Sequence, residues 1–296
     1  MLVTGLHLYP VKSLGGAAVE SAVVEPWGLA GDRRWALVDG AGEPVTAREC
    51  HALLRLTATV VDDDTIRLLD RADGESILVD TPLGLGPVPV AFSRLGFAAP
   101  ADADVSEWVS ARVARTVRLV WLEDPTSRPI SGARGGLPGE SLSLADAGPL
   151  LLTSEASLAQ LDAWMATEAD EPDAPDLDPA DLSDASVVEP PKGLDMRRFR
   201  PNLVIDGDEP FAEDAWPGVR VGDVHFRTTM VCDRCVMTTL DPDTLGGGKE
   251  PIRTLARHRR WDRSTWFGIR LVRVGGGTEI HVGDAVVPEP AAVPIG

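Results

Sequence analysis

Short apolar runs, each about the length of one strand and each closed by glycine, proline or aspartate, restrict the folds open to this chain more than any other feature. Residues 2–11, 19–24, 34–38, 53–61, 65–69 and 76–79 follow one another in this way, rich in Val, Leu and Thr. That punctuation is the pattern of an all-β sheet or barrel. The 29 glycines and 24 prolines favour turns over long helices. Residues 105–114 read as a helix with Trp108, Val109 and Val113 on one face, and residues 116–122 as the next strand.

The second half opens with a buried strand at 150–153. A helix follows, with Ser154 as N-cap, Glu155 at the positive end of its dipole, and Leu158, Leu161 and Trp164 or Met165 on its inward stripe. Strands are expected at 202–205, 219–221 and 224–230, the last two joined across Gly222-Asp223. Pro251 should open a short basic helix running through Arg260. Two final strands, 267–274 and 278–287, are expected to pair across Gly275-Gly276-Gly277. The fold class is therefore mainly β with a few helices (α+β), arranged as two β-rich lobes.

A formal net charge of −18 at pH 7 excludes nucleic-acid binding by the usual basic face. Much of it lies between Glu168 and Glu189, a stretch that reads as a solvated insertion rather than an acidic docking surface. No apolar run approaches the ~20 residues of a membrane helix. Met1-Leu2-Val3-Thr4-Gly5 has no basic region of a signal peptide, so the expected location is cytoplasmic. Three cysteines do not make a disulfide framework.

Cys232-Asp233-Arg234-Cys235 leaves several chemistries open. A structural zinc site needs two more ligands, and Cys50, His7, His51, His225, His258 and His281 offer no second paired cluster. A thioredoxin-like dithiol should open a helix after a strand, whereas this pair follows a hairpin. A thiolate ligand to a soft transition metal, made more ionisable by Arg234, is a third reading, and two buried structural cysteines a fourth. Cations gather elsewhere too. Arg197-Arg198-Phe199-Arg200-Pro201-Asn202 concentrates positive charge in an acidic chain, Lys12-Ser13 closes the first strand, and Asp32-Arg33-Arg34-Trp35 adds two more cations beside an aromatic. Each alone reads as a surface salt bridge. Together with a CxRC element they suit a phosphate or a planar heterocycle.

YPVKS, GDRRW, TSEASL, RFRPN, VGD, CDRCVMTTLDPDT, KEPIRTL, WFG and a final VGD occur in the order that resembles MOSC proteins with an N-terminal β-barrel extension. Among those are the amidoxime-reducing components and their bacterial counterparts. The resemblance spans nearly the whole chain apart from the acidic stretch. It implies an N-terminal MOSC-associated β-barrel domain at 1–118 and a MOSC β-barrel domain at 119–290. The acidic insertion falls at about 168–191, a tail at 291–296, and the cofactor in the groove between the lobes. The implied cofactor is the molybdenum cofactor (Mo-molybdopterin). Carried over position by position, Lys12, Ser13 and Arg33 would contact the pterin or its phosphate. Ser154 would help hold an anion, Arg200 and Asn202 would hydrogen-bond the pterin with Arg198 as a weaker candidate, and Arg234 would lie near the metal or phosphate. The chain departs from the family at Trp261, about where eukaryotic amidoxime reducers carry a further cysteine. That leaves Cys235 as the catalytic thiolate and metal ligand, with Cys232 second. Cys50 matches no family position and reads as structural.

The implied activity is reduction of small N-hydroxylated substrates by oxygen-atom transfer. Neither a Cys-rich ferredoxin segment nor a GxGxxG fingerprint is present, so electrons must come from a separate donor protein. The competing expectation is a non-catalytic carrier or sulfur-transfer protein for the same cofactor.

Overall fold

The computed structural model describes residues 1–168 and 193–290. The tail at 291–296 and all of the acidic insertion except Glu168 lie outside the described residues. The chain divides into two units. One comprises Met1–Leu6, Glu20–Val24 and Leu150–Gly296; the other comprises His7–Val19 and Glu25–Pro149. Both are built mainly of strands, and the α-helices among the described residues are Ala103–Val113, Glu155–Thr167 and Ile252–His258.

In the N-terminal unit one sheet runs in the order Val88–Phe92, Leu95–Pro100, Arg118–Trp121, Trp35–Val38, Pro44–Val45. Every pairing in it is antiparallel. A second meander joins Leu56–Val60, Thr65–Asp70 and Ser76–Asp80. Ala36, Val38, Phe92, Val120, Leu122 and Leu144 pack together as core. The run expected as one strand at 53–61 begins as a 3-10 helix, His51–Arg55. Consecutive Leu53 and Leu54 are both buried; a strand would have sent them to opposite faces. In the helix Ala103–Val113 the inward residues are Val105, Val109 and Val113. Trp108 is half-buried beneath Arg112, whose guanidinium carbon lies 3.6 Å from the ring centroid.

In the C-terminal unit the sheet continues from Val3–Leu8 through Leu203–Ile205, Leu150–Ser154, Ser264–Gly276, Val224–Arg234 and Gly218–Val221 to Val286–Glu289. Leu150–Ser154 and Leu203–Ile205 are parallel, so the chain must cross over between them. Helix Glu155–Thr167 begins that crossover, and its inward stripe is the expected one. Leu161 is fully buried with Phe199, Ile252, Leu255 and Phe267, while Leu158, Trp164 and Met165 pack around them. Phe199 and Phe267 stack at 4.1 Å.

Two local expectations need correction. The strands on either side of Gly275-Gly276-Gly277 do not pair with each other. Glu279–His281 pairs with Ser21–Glu25, and Val286–Glu289 pairs with Gly218–Val221, because Ser264–Gly276 is already held on both sides by Leu150–Ser154 and Val224–Arg234. The basic helix stops at His258 rather than Arg260. Arg260 and Trp261 instead pair with Thr265 and Ser264 across Asp262 and Arg263, whose φ values are +51° and +63°. Gly276 shows why its position is glycine: φ is +77°, and a Cβ there would sit 2.0 Å from the Asp223 carbonyl oxygen. Gly276→Ala should destabilise the chain by at least about 1–3 kcal/mol, read as a lower urea midpoint.

Candidate functional site

The CDRC element closes the long strand Val224–Arg234, where Asp233 pairs with Trp266 and Arg234 with Thr265. Cys235 then caps the 3-10 helix Val236–Thr239. The cysteines are free thiols in different settings: Cys232 is buried at 5 % exposure, whereas Cys235 is half-buried. Two guanidinium groups attend the pair. Arg234 donates to the Phe199 carbonyl at 3.1 Å and lies 5.2 Å from the Phe199 ring centroid. Arg270, on the neighbouring strand, ion-pairs with Asp233 and hydrogen-bonds the Cys232 sulfur. Burial pushes Arg234 below the usual guanidinium range, and the positive charge of Arg270 adds to the effect. Burial would lower Arg270 as well, but the neighbouring Cys232 and Asp233 outweigh it and hold Arg270 higher than usual. Arg270 was not anticipated from the sequence. The available signal was a cation inside the apolar run Phe267-Gly268-Ile269-Arg270-Leu271-Val272.

The RFRPN segment forms the end of a 3-10 helix, Met196–Phe199, whose C-cap Arg200 is left-handed at φ +56°. Arg198 is buried and paired with Asp241 at 2.8 Å, and it also donates to the Thr239 carbonyl at 3.0 Å. Its Nε is a buried donor with no hydrogen-bond partner. Asn202 is buried and laces two strands together, its Oδ1 accepting from the Leu151 N–H at 3.3 Å and its own N–H donating to the Leu151 carbonyl at 2.9 Å. Ser154 does cap helix Glu155–Thr167, its hydroxyl accepting from the Ser157 N–H at 3.4 Å. It is almost wholly buried, and a Cβ on Gly207 would meet its Oγ at 2.2 Å. Ser154→Ala should therefore cost about 0.5–2 kcal/mol in thermal or urea unfolding.

The N-terminal unit holds a second cationic cluster. Lys12 donates to the Leu144 carbonyl at 3.0 Å and ion-pairs with Asp146, which also binds Arg48 at 2.9 Å. Burial lowers Lys12 from the ordinary lysine range against the opposing pull of Asp146. Beside it in sequence, Ser13 is buried and left-handed at φ +70°. Arg33, at φ +49°, binds Asp32 at 2.6 Å and lies 4.7 Å over the Tyr9 ring. Asp32 in turn accepts the Tyr9 N–H at 2.9 Å, so a single carboxylate orients both. Cys50, half-exposed in the same unit, has its thiol pushed up by partial burial.

Lys12, Ser13 and Arg33 thus belong to one unit, and Ser154, Arg198, Arg200, Asn202 and the CDRC element to the other. Among the described residues no three His, Cys, Asp or Glu side chains gather to hold a metal ion. A metal at Cys235 would therefore take its remaining donors from a bound molecule. Free thiols beside one buried and one half-buried guanidinium, Arg270 and Arg234, fit an anionic cofactor that carries a thiophilic metal.

The chain matches the MOSC N-terminal beta barrel domain over residues 1–116 and the MOSC domain over residues 139–287. It is similar to the mitochondrial amidoxime-reducing component 1 of Homo sapiens, with 30% identity over 96% of this chain and 82% of that one. The Mus musculus protein of the same name is 31% identical over 96% and 81%. The molybdenum cofactor sulfurase of Oryza sativa subsp. japonica is 30% identical over 91% of this chain but only 33% of the sulfurase. No helix among the described residues is long and apolar enough to cross a membrane. On these matches the chain belongs to the MOSC-domain family, in the form that carries the MOSC N-terminal beta barrel domain.

Proposed function

We propose that the protein is a molybdenum-cofactor-dependent oxidoreductase that reduces small N-hydroxylated compounds with electrons from a separate donor protein. The observation that carries this reading is the CDRC element itself, where two free cysteines stand with the buried guanidinium of Arg270 and the half-buried one of Arg234. Similarity to the amidoxime-reducing components over 96% of the chain supports it. When bound, the cofactor supplies a two-electron centre able to take the oxygen of an N–O bond. The balance is R–NHOH + 2 e⁻ + 2 H⁺ → R–NH₂ + H₂O.

The chain's own residues bind and orient. Cys235, the more accessible thiol, ligates the metal, and Cys232 is the runner-up because Arg270 and burial already hold its sulfur. Arg200, Asn202 and, less directly, Arg198 hydrogen-bond the pterin, and Ser154 at its helix N-terminus helps to hold an anion. Arg234 sets positive charge beside the metal or phosphate. Lys12, Ser13 and Arg33 contact the pterin or its phosphate. Lys12 and Arg33 are pre-oriented by Asp146 and Asp32, so little side-chain entropy remains to be lost when an anion arrives.

A second reading, a non-catalytic cofactor carrier or sulfur-transfer protein, draws on the 30% identity to the rice sulfurase. Turnover of an aryl amidoxime by molybdenum-loaded protein with a chemical one-electron donor separates the two. Amidine release supports the reductase; loaded protein that turns over no amidoxime or hydroxylamine supports the carrier.

A further inference from the structure

We propose that Trp261 and Trp266 form an aromatic platform beside Cys235 that receives the ring of a substrate and selects uncharged aryl amidoximes and aryl hydroxylamines over aliphatic ones, a reading that rests on the proposed function of the same site. Strand Ser264–Gly276 has Val224–Arg234 on one side and Arg260–Trp261 on the other. Asp233 stands opposite Trp266, Arg234 opposite Thr265, and Trp261 opposite Ser264. Side chains directly opposite each other, or two residues apart along a strand, share a face of the sheet. Asp233, Ser264, Trp266 and Trp261 therefore share one. The backbone of Cys235 is still extended, at φ −134° and ψ 177°, so the alternation carries its thiol to that same face. Diagonal neighbours on such a face lie about 7–8 Å apart, within reach of aromatic side chains. That is the relation of Cys235 to Trp266, and again of Trp266 to Trp261. In the second case the two indoles stack, with ring centroids 5.4 Å apart and planes 17° from parallel.

Trp266 is 8 % exposed and Trp261 41 % exposed, so the stack runs from the interior out to solvent and its outer ring is open to a ligand. That outer ring is also held in place. The Trp266 indole N–H donates to the Trp261 carbonyl at 2.9 Å. The turn after Trp261 sets two non-glycine residues, Asp262 and Arg263, in the left-handed region, a conformation that costs free energy at each. An indole oriented beforehand loses little entropy when a second ring stacks on it. Arg259 narrows the class of that ring. Its guanidinium carbon lies 5.2 Å from the Trp261 ring centroid, and an ion pair with Asp214 holds it. The cation that an indole attracts is thus already supplied by the chain, and a positively charged ligand would meet Arg259. A neutral conjugated ring gains from offset stacking, whereas the alkyl group of an aliphatic amidoxime offers no π face.

Molybdenum-loaded full-length protein is compared with Trp261→Leu and Trp261→Phe, using benzamidoxime and acetamidoxime, which carry the same N–O group on a ring and on a methyl. Binding is measured calorimetrically without an electron donor, when no turnover occurs, and kinetics are measured with a chemical donor. Wild type should bind benzamidoxime about tenfold tighter than acetamidoxime. Trp261→Leu should erase that preference, read in KM more than in kcat, and Trp261→Phe, which restores a ring, should keep most of it. Urea midpoints check that both variants are folded. Indole emission gives a second measurement that needs no variant: benzamidoxime should quench it in wild type and acetamidoxime should not. A preference that survives in Trp261→Leu, an equal loss of both ligands in that variant, or wild-type emission that responds to both amidoximes alike overturns the proposal. Failure of the proposed function is distinguishable. Loaded protein that turns over neither amidoxime removes the reductase reading, while a calorimetric preference for benzamidoxime that is lost in Trp261→Leu would still assign ring binding to the indole pair.

Discussion

Cys235→Ala, made in a cofactor-producing host, is expected to lose more than about 100-fold in amidoxime turnover, with the fold unchanged. The size follows from what a direct ligand does: outer-shell partners of a metal already cost 10–100-fold when removed, and a thiolate bonded to the metal should exceed them. Folding should not suffer, because Cys235 is half-buried and caps only the 3-10 helix Val236–Thr239, with no side-chain hydrogen bond in the cap. Cys232→Ala should behave differently. Its sulfur is buried and accepts from Arg270, so removal disturbs the Asp233–Arg270 pair and lowers activity through position rather than ligation. Molybdenum content read beside turnover distinguishes the two: Cys235→Ala should lose both together, whereas Cys232→Ala should retain metal. Equal metal and equal activity in both variants would contradict the assignment of the thiolate.

Asp241→Ala should give the largest loss of stability, about 3–5 kcal/mol, because it strands the buried guanidinium of Arg198. The pair is nearly closed to solvent, with side chains 8 % and 11 % exposed. Asp241 also accepts the N–H groups of Asp243 and Thr244 and the Thr244 hydroxyl, which hold the turn that follows. Burial alone would raise its carboxyl, but those hydrogen bonds and Arg198 hold it below the ordinary aspartate range. The depressed value fixes the sign of the pH effect. The contribution is fully present above the unfolded pKa of about 3.9 and is lost as pH falls through the lower folded value. Urea midpoints of wild type and Asp241→Ala should therefore converge on acidification below that pH. Replacing both partners with apolar residues of similar volume, Arg198→Met with Asp241→Leu, should recover most of the loss at neutral pH. A cost below about 1 kcal/mol for Asp241→Ala alone would mean that Arg198 is compensated from elsewhere.

What the sequence made legible was local. The stripe of helix Glu155–Thr167, its Ser154 cap and the Gly222 hairpin each depend on residues a few positions apart, and each stands where periodicity and turn chemistry put it. The family order of motifs reached further, and the whole-chain matches agree with it. Pairing between distant segments was not legible. Glu279–His281 finds its partner at Ser21–Glu25, near the other end of the chain, and no turn signal at Gly275-Gly276-Gly277 could reveal that. Nor could spacing reveal that Asp233 meets Arg270, since that contact depends on strand irregularities between Thr228 and Asp233. For the same reason the cations of the site could be named from sequence while their counter-charges, Asp146 for Lys12 and Asp241 for Arg198, emerged only from the fold.

Several of the cations singled out here, Lys12, Arg33 and Arg198, are already compensated by carboxylates. Cations held in this way are oriented at rest, which suits the tight retention of an organic anion that the proposed function calls for more than the steering of a passing one. The central claim, that this chain holds a molybdenum cofactor, is tested most directly by elemental analysis of wild-type protein purified from a cofactor-producing host. The expected result is close to one molybdenum per chain, released together with pterin on denaturation. Protein that is folded and free of both molybdenum and pterin, from a host that loads a known molybdenum enzyme in parallel, would contradict it.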